Sequence, residues 1–369
     1  MELSLCMIVR NEERSLAQCL DSVRDAMDEI IILDTGSTDA TKEIALRYTP
    51  HVHDYIWQDD FAAARNASLS LATKPFVMWL DADDVLDPDE LKKLIALKAE
   101  LTGSVDAVMM PYHYAFSDCG DPMLVFERER IVRRAAGFLF SGMVHEAMAV
   151  SGHIIHADIA IRHTGEHRES SNRRNLGIYE AWIEKGKNLT ARDQYYYARE
   201  LKSAGEHERA VQAFDAFLSM DGWSVNRQDA LLEKGECLTR LGRLPEAKKA
   251  YFSALEDGEP RAETLCALGA AFLQEGQLRA AAMWYRAALL CRMPEDRRMF
   301  TFPDAYGYVP LMQLCVILSR LGQVEEACRM NEQALLLRPG DPAALYNRAY
   351  FAKRLQKDRR DQEKTRWEE

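Results

Sequence analysis

The stretch LSLCMIVRNEERSLAQCLDSVRDAMDEIIIL, residues 3–33, decides the fold. Leu3 to Val9 is a near-continuous apolar run, the pattern of a strand covered on both faces rather than one alternating towards water. After it Leu16, Leu20, Val23 and Met27 recur at helical spacing, and Glu29 to Leu33 returns to strand. The alternation continues outward with a helix over 38–47, a strand from Val52 to Trp57, a helix over 61–72 and a fourth strand from Phe76 to Leu80. Asp87-Pro88-Asp89-Glu90 opens another helix, with Asp87 as cap, Pro88 in the first turn and Glu90 completing a capping box. This βαβαβαβ order predicts an α/β, Rossmann-like, mostly parallel and doubly wound sheet, whose ligands bind beyond the carboxyl ends of the strands.

From about residue 195 the period changes. A glycine is followed five residues later by alanine at Gly205/Ala210, Gly242/Ala247, Gly276/Ala281 and Gly322/Ala327, with glycine spacings of 37, 34 and 46. The last spacing is enlarged by Pro294 to Pro310. Ala254, Ala288 and Ala334 keep register, as do Leu218, Leu255, Leu289 and Leu335. Small residues at fixed offsets suit close helix pairs, and the period is near that of tetratricopeptide repeats, which this part of the chain resembles. The expected division is therefore an α/β domain over 1–165, a helical connector over 166–194 with a helix near Arg174 to Lys185, helical repeats over 195–352 and a charged tail over 353–369 that frays or forms a solvated cap.

Composition agrees with two folded domains. Of the 369 residues 47% are hydrophobic and 28% charged, the balance of a globular protein. The longest apolar run, Val309 to Leu318, is interrupted by Gln313 and falls short of the roughly 20 residues of a membrane span. With no basic leader at its start, a cytoplasmic location is expected. The eight cysteines form no C-x-x-C pair, so most read as reduced, buried apolar residues. A net charge of −11 argues against a nucleic-acid partner but admits a small phosphorylated ligand neutralised by a metal.

Three motifs carry the chemistry. Trp79-Leu80-Asp81-Ala82-Asp83-Asp84 ends the fourth strand. Carboxylates emerging together repel one another unless a cation or donors sit among them, and such an oxygen-rich site suits Mg²⁺ or Mn²⁺ with substrate phosphates. A solvated acidic loop capping the next helix has the same signature. Leu33-Asp34-Thr35-Gly36-Ser37-Thr38-Asp39 follows the second strand, where Asp34 could accept from a base or ribose; Ser37, Thr38 and Asp39 compete there as helix caps. Asp60-Phe61-Ala62-Ala63-Ala64-Arg65-Asn66 sets Arg65 on the helix before the acidic strand, either bridging to phosphate or to the aspartates, or lying on the surface.

A strand followed by Asn11-Glu12, then Asp-Thr-Gly-Ser-Thr-Asp, Asp-Phe-x-x-x-Arg-Asn and Asp-Ala-Asp-Asp, in that order, resembles family 2 glycosyltransferases of GT-A fold over about 1–165. The resemblance implies nucleotide contacts from Val9, Asn11, Asp34, Arg65 and Asp81, with Asp34 at the base and Asp81 on the ribose side. It places Asp83 on a divalent metal, Mn²⁺ or Mg²⁺. Many members have two aspartates where this chain has Asp34-Thr35, so one nucleotide contact differs. A bacterial subgroup joins such a domain to tetratricopeptide repeats, and peptide S- and O-glycosyltransferases are the nearest functional analogy.

Downstream, Val144-His145-Glu146 follows a short apolar segment as in that subgroup. Glu146 could take the acceptor's proton, with Asp84 as the alternative base, or it could form a strand-end salt bridge. Ile155, Ala157, Ile159, Ile161 and His163 alternate along one face, so His163 ends an inward row. An inward histidine is commonly a hydrogen-bonded core residue; Gly165 just after it, and the late histidine that GT-A enzymes often supply to the metal, favour ligation. His51, His53, His113, His153, His156 and His167 carry no such support. Phe214, Tyr251 and Tyr285 occupy helical packing sites.

The expected function is a metal-dependent, inverting transfer of a sugar from a nucleotide-sugar donor, a UDP-sugar, to a peptide or protein side chain. The repeats would hold that acceptor, dimerise the chain or brace the catalytic domain. Rivals are a nucleotidyl or phosphoryl transferase using the same carboxylates, and a repeat scaffold with an inactive transferase-like domain.

Overall fold

The computed structural model describes residues 1–116, 120, 122–165, 169–220, 226–294 and 300–368. The chain forms two compact units that divide for the most part between Glu200 and Leu201.

The first unit runs β1 (Leu3–Val9), α1 (Leu16–Val23), β2 (Glu29–Asp34), α2 (Thr41–Ala45), β3 (Val52–Asp54), α3 (Phe61–Ser70), β4 (Phe76–Trp79), β5 (Asp84–Val85), α4 (Pro88–Glu100), β6 (Ala107–Phe116), β7 (Pro122–Arg133), β8 (Phe140–Ser141), β9 (Ala147–Met148), β10 (Ile154–His156), β11 (Ile161–His163), α5 (Glu169–Glu184) and α6 (Ala191–Ser203). Among the described residues nine strands form one sheet in the order β3-β2-β1-β4-β7-β6-β11-β5, with β10 also on β6. β1 pairs in parallel with β2 and β4, β2 with β3, and β6 with β10 and β11, while β4–β7 and β11–β5 are antiparallel. The mostly parallel α/β sheet is thus present. β1 shows why its run is continuously apolar. Leu3, Leu5, Met7 and Val9 pack on one face against Leu16, Leu20 and Val23, and Cys6 packs on the other with Val77, Trp79 and Ala62.

Local departures have local causes. The helix expected over 38–47 shrinks to α2 because Ser37, Thr38, Asp39 and Ala40 all bond to the loop after β1. No capping box opens α4: the Asp87 side chain makes no cap bond and faces Arg162, and Glu90 accepts the Ala160 N–H at 2.7 Å. The single inward row over 155–163 is split between β10 and β11, yet Ile155, Ala157, Ile159 and Ile161 still pack on one core. The helix near Arg174 begins earlier, at Glu169.

The second unit continues with α7 (His207–Ser219), α8 (Arg227–Arg240), α9 (Leu244–Glu256), α10 (Ala262–Gln274), α11 (Leu278–Ala288), α12 (Tyr308–Arg320), α13 (Val324–Leu337) and α14 (Pro342–Glu368). Gly205, Gly242, Gly276 and Gly322 sit in the turns between successive helices with φ of 78°, 75°, 75° and 79°. They are there for left-handed backbone, not for close packing, since a Cβ on any of them would meet nothing within 4 Å. The close approach belongs to other glycines: a Cβ on Gly235 would lie 2.2 Å from the Tyr251 ring, and one on Gly269 2.8 Å from Tyr285. Ala210, Ala247, Ala281 and Ala327 are buried, as are Phe214, Tyr251 and Tyr285. The charged segment from Lys353, expected to fray or cap, prolongs α14 as helix. Cys6, Cys19, Cys237 and Cys315 are buried free thiols; Cys119 lies outside the described residues. No described helix is long and apolar enough to cross a membrane.

Candidate active site

The carboxyl ends of β1 and β2 are clasped together. Asn11, in the left-handed region at φ 55°, receives the Thr38 N–H on Oδ1 at 2.8 Å and donates its own N–H to the Ser37 hydroxyl at 2.9 Å. The Val9 carbonyl accepts both the Thr35 N–H and its hydroxyl, at 2.9 and 3.1 Å. Two donors occupy that carbonyl, so Val9 ties β1 to β2 instead of presenting a free acceptor. An aspartate at position 35 would set a carboxylate against this carbonyl, so threonine suits the position. Asp34 is buried; its Oδ1 accepts the N–H groups of Gly36 and Ser37, and its Oδ2 has no partner among the described residues. A buried carboxylate oxygen left open in this way calls for a donor.

β4 delivers the acidic motif, and the indole of Trp79 organises what surrounds it. Its Nε1–H donates to the Glu129 carbonyl at 2.6 Å, and the guanidinium groups of Arg65, Arg128 and Arg130 lie 4.6, 4.7 and 4.1 Å from its ring centre. Arg65 on α3 is not at the surface: it is 6% exposed, donating through Nη2 to Asp81 and through Nε to Glu146, each at 2.5 Å. One guanidinium therefore joins the acidic motif to the carboxylate 81 residues away in the chain. Burial alone would raise the Asp81 carboxyl, but Arg65 and then Arg130 overcome it and hold it down at about 2. Glu146 is 8% exposed, and Arg128 donates to its backbone carbonyl at 3.1 Å.

Asp84 is enclosed. Tyr112 donates to Oδ1 at 2.7 Å, while Arg130 and the Asp81 N–H donate to Oδ2 at 2.9 and 3.0 Å. Both Asp84 and Arg130 are 0% exposed. Asp83 differs: no hydrogen bond reaches its carboxylate among the described residues, though its backbone carbonyl takes the N–H and hydroxyl of Thr164, each at 2.7 Å. Burial, then the charges of Asp81 and Asp84, push its carboxyl up to about 7 against the opposing pull of His163. His163 at the end of β11 sets Nδ1 3.5 Å from Asp83, 3.6 Å from Asp84 and 3.0 Å from the Tyr112 hydroxyl, with its ring stacked on Tyr114 at 4.8 Å. Gly165 makes this possible: a Cβ there would stand 2.2 Å from Asp83 Oδ2 and 2.9 Å from the His163 ring. Ligand atoms of Asp83, Asp84 and His163 lie within 4.8 Å of one another, a carboxylate and imidazole set that suits a divalent cation.

Residues 4–133 match the family described as Glycosyl transferase family 2. This region is a family 2 glycosyltransferase domain. The relatives of this glycosyltransferase domain include a TPR repeat-containing protein of Synechococcus elongatus, 30% identical over 78% of this chain and 66% of its own length. The SPbeta prophage-derived glycosyltransferase SunS of Bacillus subtilis is 28% identical over 56% of this chain and 50% of its own. The chain thus spans between half and two thirds of the length of these curated relatives. The structure also matches YrrB, described as a TPR protein with an unusual peptide-binding site, at 21% identity and a TM-score of 0.36, over 48% of this chain and 83% of that one. The glycosyltransferase domain is followed, in the second unit, by the helix pairs described above.

Within the first unit the fold brings Asp81, Asp83, Asp84, Arg65, Glu146 and His163 together, and clasps Asn11 to the loop after Asp34. Sequence reading missed Arg130, Tyr112 and Trp79, which hold the cluster in place. The signal for Arg130 was Glu127-Arg128-Glu129-Arg130, four consecutive charges inside β7, all but Arg128 buried. His167 lies outside the described residues.

Proposed function

We propose that the chain is a metal-dependent inverting glycosyltransferase that moves a sugar from a UDP-sugar to a peptide or protein side chain. The observation that carries this reading is Asp83, a carboxylate without a donor, held with His163 over Gly165 and two residues from Asp81, where the Asp81–Arg65–Glu146 chain begins. Asp83 and His163 would hold Mn²⁺ or Mg²⁺, which when bound supplies positive charge to the leaving diphosphate. Arg65 adds fixed charge, since its Nη1 makes no protein hydrogen bond among the described residues. Asp34 would use Oδ2 to accept an N–H of the base, and Asn11 would shape the loop beside it.

Glu146 keeps Oε1 on Arg65 and has Oε2 available to take the proton of the acceptor's O–H, S–H or N–H. The acceptor atom bonds to the anomeric carbon as the bond from that carbon to the diphosphate oxygen breaks on the opposite face, and UDP leaves; inversion here follows the family resemblance. Asp84, with three donors and no exposure, is better suited to fixing Arg130 and Tyr112 than to accepting a proton. A polypeptide acceptor agrees with the extended surface that stacked helix pairs offer.

The test is a thermal-shift panel of nucleotide sugars with and without Mn²⁺, followed by product analysis. Native-state ligands raise apparent stability. A UDP-sugar should stabilise the chain only with metal, and sugar rather than phosphate should reach the acceptor; transfer of phosphate would establish the nucleotidyl or phosphoryl rival instead.

A further inference from the structure

The residue before Glu146 has an unusual environment. His145 lies in the left-handed region at φ 52°, a conformation costly for a side chain with a Cβ and kept only where surrounding structure imposes it. Three contacts from α6 impose it. The ring Nε2 is 2.5 Å from Glu200 Oε1, the ring stacks on Tyr196 at 4.3 Å and 14°, and the backbone carbonyl accepts from Arg192 Nη2 at 2.9 Å. Glu200 is itself deeply buried, and Asn175 of α5 donates to the same Oε1 at 3.2 Å. Tyr179 of α5 donates to the Val144 carbonyl at 3.4 Å, so each residue leading into Glu146 is held from the two helices that follow the matched region.

We propose that Glu200 is a positioning residue for Glu146, acting through His145. A left-handed residue redirects the chain, and the direction it gives here turns the next side chain onto Arg65 Nε. Without the Glu200 tether the backbone at 145 is free to relax towards ordinary φ, and Glu146 loses its aim at the acceptor's proton while the residues around Asp83 stay where β4 and β11 put them. The inference rests on the reading of Glu146 as base. It adds that this base, itself beyond the matched residues, is completed by α6, a helix later still in the chain.

The experiment uses the full chain with Mn²⁺, reading UDP affinity by calorimetry and UDP release from a UDP-sugar with water as nucleophile. Glu200→Ala should lower kcat about 10- to 100-fold, the scale expected for misplacing a catalytic group by about 1 Å, with UDP affinity unchanged within twofold. Glu200→Gln, whose amide oxygen still accepts from Nε2–H, should recover most of kcat; a plain packing role would not separate the two variants by turnover alone. His145→Asn tolerates left-handed backbone but cannot reach Glu200, so it guards against misfolding of the alanine variant and should match its loss. The double variant should be no worse than either single one, because the two side chains act as one unit. Normal kcat in Glu200→Ala or His145→Asn, additive losses, or an equal fall in UDP affinity would overturn the proposal. Glu146→Gln separates the two readings: if it is inactive while Glu200→Ala is normal, only the positioning role fails, and if it is active, the base assignment itself fails.

Discussion

The two units use the same packing devices to opposite ends. Each buries an arginine between two carboxylates: Arg65 between Asp81 and Glu146 in the first, Arg261 between Asp229 and Glu263 in the second. The Arg261 cluster is closed, with all three side chains about 5% exposed, and it fastens the segment before α12 through the Phe300 carbonyl, the Phe302 N–H and the Tyr306 hydroxyl. The Arg65 cluster is open, because the Asp81 side chain is 35% exposed and the nearby Asp83 carboxylate has no donor among the described residues. Each unit also has a glycine on which a neighbour leans. On Gly235 it is a tyrosine ring, and on Gly165 it is an aspartate and a histidine. The two buried charge clusters differ in access: the first reaches solvent through Asp81, and the second does not. The closed cluster is architecture.

Removing the base should have the largest effect. Glu146→Gln is expected to lower transfer by about 10² to 10⁴ while UDP affinity stays unchanged, because the amide keeps the shape and the Arg65 contact but cannot take a proton. Turnover near that of the parent, measured in steady state, would move the base elsewhere.

Exchanging arginine for alanine in the two clusters sharpens the contrast. Arg261→Ala leaves Asp229 and Glu263 buried without their cation and should cost about 3–5 kcal/mol in denaturant unfolding, with nucleotide affinity untouched. Arg65→Ala should cost less stability, since water reaches Asp81, yet abolish most transfer. Equal stability losses from the two would erase the distinction between open and closed clusters.

The glycine pair repeats the test on a smaller scale. Gly235→Ala overpacks against Tyr251 and should destabilise by about 1–3 kcal/mol without changing UDP binding. Gly165→Ala should show the reverse in calorimetry, with weakened Mn²⁺-dependent UDP binding and a minor change in melting temperature. Both cores should meanwhile be silent to thiol reagents. Burial pushes Cys6 up to about 12 and Cys237 to about 11, so neither forms appreciable thiolate at pH 8, and mass spectrometry after iodoacetamide treatment of the native chain should find both unmodified. Labelling of either would show that its core opens.

Much of this organisation was legible in the sequence because it follows from period. The apolar run at Leu3–Val9 and the helical spacing behind it fixed the parallel sheet, and the glycine–alanine offset marked the helix pairs. The acidic motif was visible because three aspartates at a strand end repel one another unless a cation or donors sit among them. What escaped depends on which side chain meets which across the fold. Periodicity could show that His163 faces inward, not that Gly165 clears space for it. Arg65 was visible as a candidate, but its partner Glu146 lies 81 residues away, and no local pattern joins the two. Asp84 resembles its neighbours in sequence and is separated from them only by Arg130 and Tyr112, which enclose it. The reason for glycine in the helix turns was also out of reach, since backbone angle and close packing both select the same residue.

The central claim is that Asp83 and the residues around it hold a nucleoside diphosphate together with a divalent cation. Isothermal titration of UDP into the full chain tests it most directly, run in Mn²⁺, in excess EDTA, and in Mn²⁺ with Asp83→Ala. Binding in Mn²⁺ that weakens at least about tenfold, or roughly 1.4 kcal/mol, both in EDTA and in the variant is the predicted result. Undiminished affinity in either would contradict the account.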